Sequence, residues 1–158
     1  METFAVSKHI ATIAWQRGSD AFAKGRYSRV HEWRFDGGVV VPASASPDVV
    51  PLPWSNASAV DPEEAFVAAL SSCHMLWFLS LAAAQGFIVD SYADEAVGHM
   101  REIAPGKLAV TDVVLRPRVT FDPAHAADHS QVDALHHAAH ARCFLANSVK
   151  TEIRIESR

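Results

Sequence analysis

The stretch DPEEAFVAALSSCHMLWFLSLAAAQGFIVD runs from Asp61 to Asp90, and between Glu64 and Asp90 it carries no Asp, Glu, Lys or Arg. Its start has the marks of a helix N-terminus. Asp61 can cap, Pro62 suits the first helical position, and Glu64 stands three residues after Asp61 as in a capping box. Gly86 is the natural stop, which gives a helix of about 24 residues. Ala65 to Ala84 is nearly all apolar, long enough to cross a hydrocarbon layer of roughly 30 Å. Three observations speak against a membrane span. The nearest basic residues are Arg34 and Arg101, so the usual topology anchors are missing. Ser71, Ser72, Cys73 and His74 would form a polar belt at mid-span. The flanking chain reads as half-buried strands that need something to pack on. A helix apolar on every side is then one buried on every side, at the centre of a fold or of an oligomer.

Working outward, the 158 residues with 49% hydrophobic content fit one domain, residues 1–158, with a substantial core. A formal net charge of -4 gives no basic field for nucleic acid. The opening METFAVSKHIATIAWQR lacks the basic, apolar and small-residue succession of a secretory signal, and the protein is read as cytoplasmic. Two cysteines seventy positions apart do not resemble a secreted disulfide scaffold; in a reducing compartment they are either inert or a working redox pair.

Residues 9–15 alternate, with Ile13 and Trp15 on one face, and read as a strand. Residues 27–35 and 39–41 flank Gly37-Gly38, a hairpin signal. Residues 42–60 hold four of the eight prolines and read as an irregular loop. Beyond the helix, YADEAVGHMREI and KLAVTDVVLRPRVTF read as two strands around Pro105-Gly106. In the second, Val113, Leu115, Pro117, Val119 and Phe121 share one face. Residues 128–143 are helical in pattern, and VKTEIRIE, residues 149–156, closes with strict alternation. Strands, long helix, strands, helix and strand make an α+β fold with mostly antiparallel sheets.

Cys73 admits two readings. A free cysteine in an apolar helix is usually a small hydrophobe. Reactivity requires the thiolate, which burial disfavours, and Cys73 lies too far into the helix for the N-terminal dipole to help. A reactive Cys73 therefore demands an external cation, and arginine stays charged when buried. Cys143 is either an independent core cysteine or a resolving thiol. His136 and His140 share a helix face with Cys143 three residues on, which raises a metal site; DALHHAAHARC supplies no clear acidic partner there, and a polar helix face is preferred. No G-x-S-x-G motif or Gly-rich phosphate loop occurs.

At this point DPEEAFVAALSSC resembles the signature of the OsmC-like family, which includes the organic hydroperoxide resistance proteins. There a Pro-Glu-Glu-type helix start precedes a cysteine ten positions after the first Glu, the separation of Glu63 and Cys73. AHARCFLANSVKTEIRIE resembles the context of the second family cysteine, just before the last strand. The resemblance covers the chain from the Trp15 strand to the end and implies an OsmC-like fold, an intertwined homodimer with long central helices between sheets.

The implied activity is thiol peroxidase, reducing organic hydroperoxides to alcohols in oxidative stress defence. Cys73 would be peroxidatic, Cys143 resolving and Glu63 the carboxylate of an Arg–Glu pair that tunes the thiolate. Arg29 is the favoured arginine and Arg17 the alternative. Leu76, Trp77 and Phe78 with the 42–60 loop would form an apolar pocket for bulky peroxides. No cofactor or metal is implied; an external dithiol, lipoyl-type in the family, would reduce the disulfide. The rival reading is a non-catalytic dimer of the same fold that binds a small apolar ligand, with inert cysteines. One geometric constraint is independent of the resemblance. Ten helical residues span about 15 Å, so either the helix bends or Glu63 serves the Cys73 of a partner subunit.

Overall fold

Gly86 ends the long apolar stretch where the sequence places its stop. In the structure, a computed structural model that describes residues 6–18 and 21–158, helix α1 runs from Pro62 to Ala84. Gly86 takes φ 82°. Its N–H bonds the Ala83 carbonyl at 3.0 Å, and the Phe87 N–H bonds the Ala82 carbonyl at 3.0 Å, the paired bonds of a Schellman cap that a left-handed glycine permits. The ring of Phe87 then folds back onto the Phe78–Ala82 cluster.

The chain divides into two compact units, Met1–Pro62 and Glu63–Arg158. In the first, β1 (Ala11–Ala14), β2 (His31–Phe35) and β3 (Val40–Ala43) form an antiparallel sheet in that order. The β2–β3 hairpin turns at Gly37-Gly38 as expected, with Gly38 at φ 92°. β2 is shorter than its sequence pattern because the chain before it is engaged elsewhere: the Arg29 N–H bonds the Trp54 carbonyl at 2.9 Å, and the Ser28 carbonyl accepts the Trp15 indole N–H at 2.9 Å. The proline-rich loop that follows is irregular but tied down. Val60 bridges β3 at Ala43, and the Ser44 hydroxyl accepts the Asn56 N–H at 2.9 Å.

The second unit holds α1, strands β4 (Val89–Asp94), β5 (Val97–Ala104), β6 (Lys107–Leu115) and β7 (Pro117–Phe121), helix α2 (His129–Arg142) and β8 (Glu152–Ile155). The two long strands expected after α1 are therefore four. β4 pairs antiparallel with β7, and β5 with β6. Val97 opposite Val114 and Asp94 opposite Pro117 keep one phase across the break, so the hairpin was right and its continuity was not. The cause is local: Arg116 gives its N–H to the Asp94 carboxylate at 2.6 Å instead of to a strand partner, and Pro117 has no N–H to give. β8 lies parallel to β6. The buried Asp112 of β6 accepts from His99 and Arg101 of β5 and from Arg154 of β8, which ties the three strands.

Two apolar clusters fill this unit. Phe78 and Ala82 of α1 meet Leu135 and Ala139 of α2, with Tyr92, Val119 and Phe121 around them. Leu70 meets Val113 and Leu115, with Phe66, Val67 and Ile153 alongside. The alternating face of residues 113–121 thus points inward, as its pattern implied. α2 is set by Asp128, whose carboxylate accepts the Gln131 N–H at 2.8 Å while the Gln131 side chain accepts the Asp128 N–H at 2.9 Å, a capping box.

Within one chain the expectation of a helix buried on every side is met along one stripe. The chain buries only the Leu70, His74, Phe78 and Ala82 stripe of α1, at a spacing of four, and Leu76 is 60% exposed. Among the described residues α1 is the one helix long and apolar enough to cross a membrane by length and composition.

Candidate active site

The polar belt of α1 is met by polar partners from other elements. Ser71 donates its hydroxyl to Asp94 of β4 at 2.5 Å. Cys73 is half-buried, and Cys143 caps the C-terminus of α2 at 1% exposure. Both thiols are free, and burial, then the nearby Cys73 thiol, push the Cys143 thiol up from its ordinary range. The Cys143 sulfur also accepts the Ala146 N–H at 3.4 Å. One turn on from Cys73, the Trp77 ring stands edge-on to Phe144 at 5.4 Å, with the Arg142 guanidinium 5.8 Å from its centre. Cys73 and Trp77 share a helix face, while Arg142 and Phe144 flank Cys143. Trp77 thus meets residues on both sides of Cys143, and Arg142 is a cation the sequence reading did not single out.

The other expected residues are placed as follows. Of Leu76, Trp77 and Phe78, Trp77 reaches the Cys143 segment. Phe78 is fully buried against Tyr92 and His136, and Leu76 faces outward, so the three do not share one wall; consecutive helix positions point about 100° apart. Glu63 lies in the first turn of α1, which runs unbroken to Ala84, about 15 Å along the axis from Cys73. Arg29 and Arg17 belong to the N-terminal unit. The Arg29 guanidinium donates to the carbonyls of Gly25 at 3.0 Å and Tyr27 at 2.6 Å and lies 3.6 Å over the Tyr27 ring.

The feature that sequence reasoning missed is a buried imidazole pair. His74, next to Cys73, is 1% exposed, and its Nε2 lies 3.0 Å from Nδ1 of His136, 3% exposed, with the rings near parallel. Burial holds both well below the ordinary value, at about 4, so both are neutral at pH 7; the charges of His136 and His140 lower His74 further, whereas Asp133 and Asp94 act to raise His136. The outer nitrogens of the pair, His74 Nδ1 and His136 Nε2, are buried without a protein partner, as is His140 Nδ1. Each such group costs about 1–3 kcal/mol, so this is an expensive way to fill a core. The sequence signal was His136 and His140 four apart, which raised a metal. Among the described residues no group of three or more His, Cys, Asp or Glu is arranged to hold one; His136 turns to a third histidine on α1 instead.

Two free thiols in contact can close to a disulfide, the half-buried one being open to an attacking or attacked molecule. Comparison with known proteins bears on what that chemistry serves. The family model for OsmC-like protein matches residues 55–158. An OsmC-like protein of unknown function from Vibrio cholerae O1 biovar eltor str. N16961 is 53% identical, with a TM-score of 0.94 over 97% of this chain and 100% of that one. An organic hydroperoxide resistance protein from Elizabethkingia anophelis superposes with a TM-score of 0.71 at 16% identity, over 99% and 96% of the two chains. The organic hydroperoxide resistance protein OhrB of Bacillus subtilis gives 0.67 at 17% identity, over 98% and 100%. Among curated proteins none matches the chain by sequence.

Proposed function

The chain belongs to the OsmC-like family, and from that premise we propose that it is a thiol-dependent peroxidase that reduces organic hydroperoxides to alcohols. The observation that carries the reading is the contact between a half-buried Cys73 and a buried, protonated Cys143. The division of labour follows from burial. Cys73 is the thiol a peroxide can reach, and its thiolate attacks the outer peroxide oxygen. The O–O bond breaks, the alkoxide takes a proton to leave as alcohol, and Cys73 becomes a sulfenic acid. Cys143 then attacks the Cys73 sulfur, the hydroxyl leaves as water, and the two sulfurs are joined. An external dithiol supplies the two electrons and two protons that restore both thiols; no resident cofactor enters.

The rest of the assignment belongs to the same proposal. Residues 1–158 act as one cytoplasmic domain in a homodimer, whose interface gives the exposed apolar face of α1 a partner. Since Glu63 lies too far along an unbroken helix to serve its own Cys73, the dimer lets it act across subunits. Arg29, or in its place Arg17, is the cation that favours the Cys73 thiolate and the developing alkoxide charge. Trp77 forms the apolar wall of the peroxide pocket.

Consumption of cumene hydroperoxide by the purified protein with dithiothreitol tests the reading. With dithiothreitol the wild type turns over and Cys73→Ser does not; without it, Cys143→Ser reacts once per chain and stops at the sulfenic acid. Turnover retained by Cys73→Ser would overturn the proposal and leave the apolar-ligand dimer as the better account.

A further inference from the structure

Along β6 and β8, Val113, Leu115 and Ile153 pack with Leu70 of α1. Asp112 and Arg154 alternate with them, so they stand on the face of the sheet turned away from α1. His99 is paired directly with Asp112 across the β5–β6 ladder and shares that face. A carboxylate on an outward sheet face is ordinarily exposed, yet the Asp112 side chain is 5% exposed. Around it stands a ring of donors. His99 Nδ1 lies 2.7 Å and Arg154 Nη2 3.2 Å from its Oδ2, and Arg101 Nη1 and the Thr111 hydroxyl each lie 3.0 Å from its Oδ1.

This is more positive charge than one carboxylate neutralises. Both guanidiniums are permanently charged, and Asp112 offers the two a single negative charge. The second counter-ion is loose: Glu152 Oε1 stands 3.8 Å from Arg154 Nη1, beyond hydrogen-bond reach, and its side chain is 67% exposed. Arg101 and Arg154 are 58% and 50% exposed, so each is pinned at one amino group by Asp112 while half or more of its side chain meets solvent. Pinning removes in advance the rotamer freedom that an anion would otherwise have to take from a long cation on binding. His99 adds a different group. A carboxylate only accepts hydrogen bonds, so His99 gives Asp112 its Nδ1–H, and in the neutral ring Nε2 is left as an acceptor. That ring is 41% exposed. The ligand that fits offers acceptor oxygens to two guanidiniums and a hydroxyl proton to an imidazole. Hydrogen phosphate and a singly protonated phosphomonoester carry both, whereas sulfate and carboxylates have no proton to give near neutral pH.

We propose that Arg101, Arg154 and His99, held on the buried Asp112, form a binding site for a phosphate group, free or carried as a phosphomonoester, on the face of the sheet turned away from α1. The two guanidiniums donate to the unprotonated oxygens in charge-assisted hydrogen bonds. His99 Nε2 accepts from the phosphate hydroxyl, and the phosphate replaces the loose Glu152 carboxylate beside Arg154. Binding here involves neither thiol, so it does not depend on the peroxidase reading.

The test titrates the full chain with inorganic phosphate, glycerol phosphate and sulfate at constant ionic strength, and follows the arginine and histidine side chains by proton–nitrogen NMR. Saturable shifts at Arg101, Arg154 and His99 are expected with phosphate, and weaker binding with sulfate. Arg154→Gln should weaken phosphate on the order of tenfold. Lys107→Gln removes the same charge at the start of β6 and should leave phosphate binding unchanged. Equal weakening by the two variants, or wild-type shifts that never saturate, would mean counter-ion attraction alone and overturns the site. Sulfate bound as tightly as phosphate overturns the part given to His99. The saturation and sulfate readings need no variant to fold. Glycerol phosphate bound at least as tightly as phosphate supports a phosphomonoester as the ligand; weaker binding supports the free ion.

Discussion

Cys73 was legible as a reactive candidate only through its neighbours in sequence, because a thiol in an apolar helix is by itself a small hydrophobe. What makes the pair a chemical unit is the meeting of side chains seventy positions apart, and no local pattern encodes that. The buried histidines make the same point more sharply. His136 and His140 at a helical spacing drew attention to a metal, yet the partner of His136 is His74, sixty-two residues away, and both rings are held neutral. A pH dependence follows. Burial places the two groups at about 4 against an ordinary 6.5. Between those values the unfolded chain binds protons that the folded pair refuses, so stability falls as pH drops through the window. Urea unfolding at pH 7 and pH 4.5 should show a larger loss for the wild type than for His136→Gln, in which one of the refusing groups is gone. Equal losses would mean that the pair is accessible to protons in the folded state.

At the scale of elements the sequence carried more. The start and stop of α1, the Gly-Gly hairpin, the helix at 129–142 and the closing strand all follow from capping, turn and alternation signals that act within a few residues. The misreading of two strands where four exist arose because Asp94 takes the Arg116 N–H, a contact between strands that periodicity cannot reveal. The seating of α1 on its sheet depends on one small residue. A Cβ added at Gly98 of β5 would stand 2.6 Å from Cγ2 of Val67 and 3.4 Å from Cγ1 of Val110. Val67 is β-branched and stiff, so it yields little. Gly98→Ala should cost about 1–3 kcal/mol, lowering Tm by roughly 2–4 °C per kcal/mol for a chain of this size. Adding Val67→Ala should cost less in the Gly98→Ala background than in the wild type. Additive losses in that double-mutant cycle would mean that the two sites do not meet.

For the whole molecule, a net charge of -4 made nucleic acid a poor default partner, and the family assignment followed from motif context at both cysteines. The arginine that would activate Cys73 is not marked in the sequence because Arg29 and Arg17 lie in strand and turn patterns with nothing local to distinguish a catalytic cation. The central claim, by contrast, can be read on the intact chain in a single experiment: mass under non-reducing conditions, before and after one equivalent of cumene hydroperoxide. The account predicts a loss of two mass units in the wild type that disappears in both Cys73→Ser and Cys143→Ser. An unchanged mass after exposure to peroxide would contradict it.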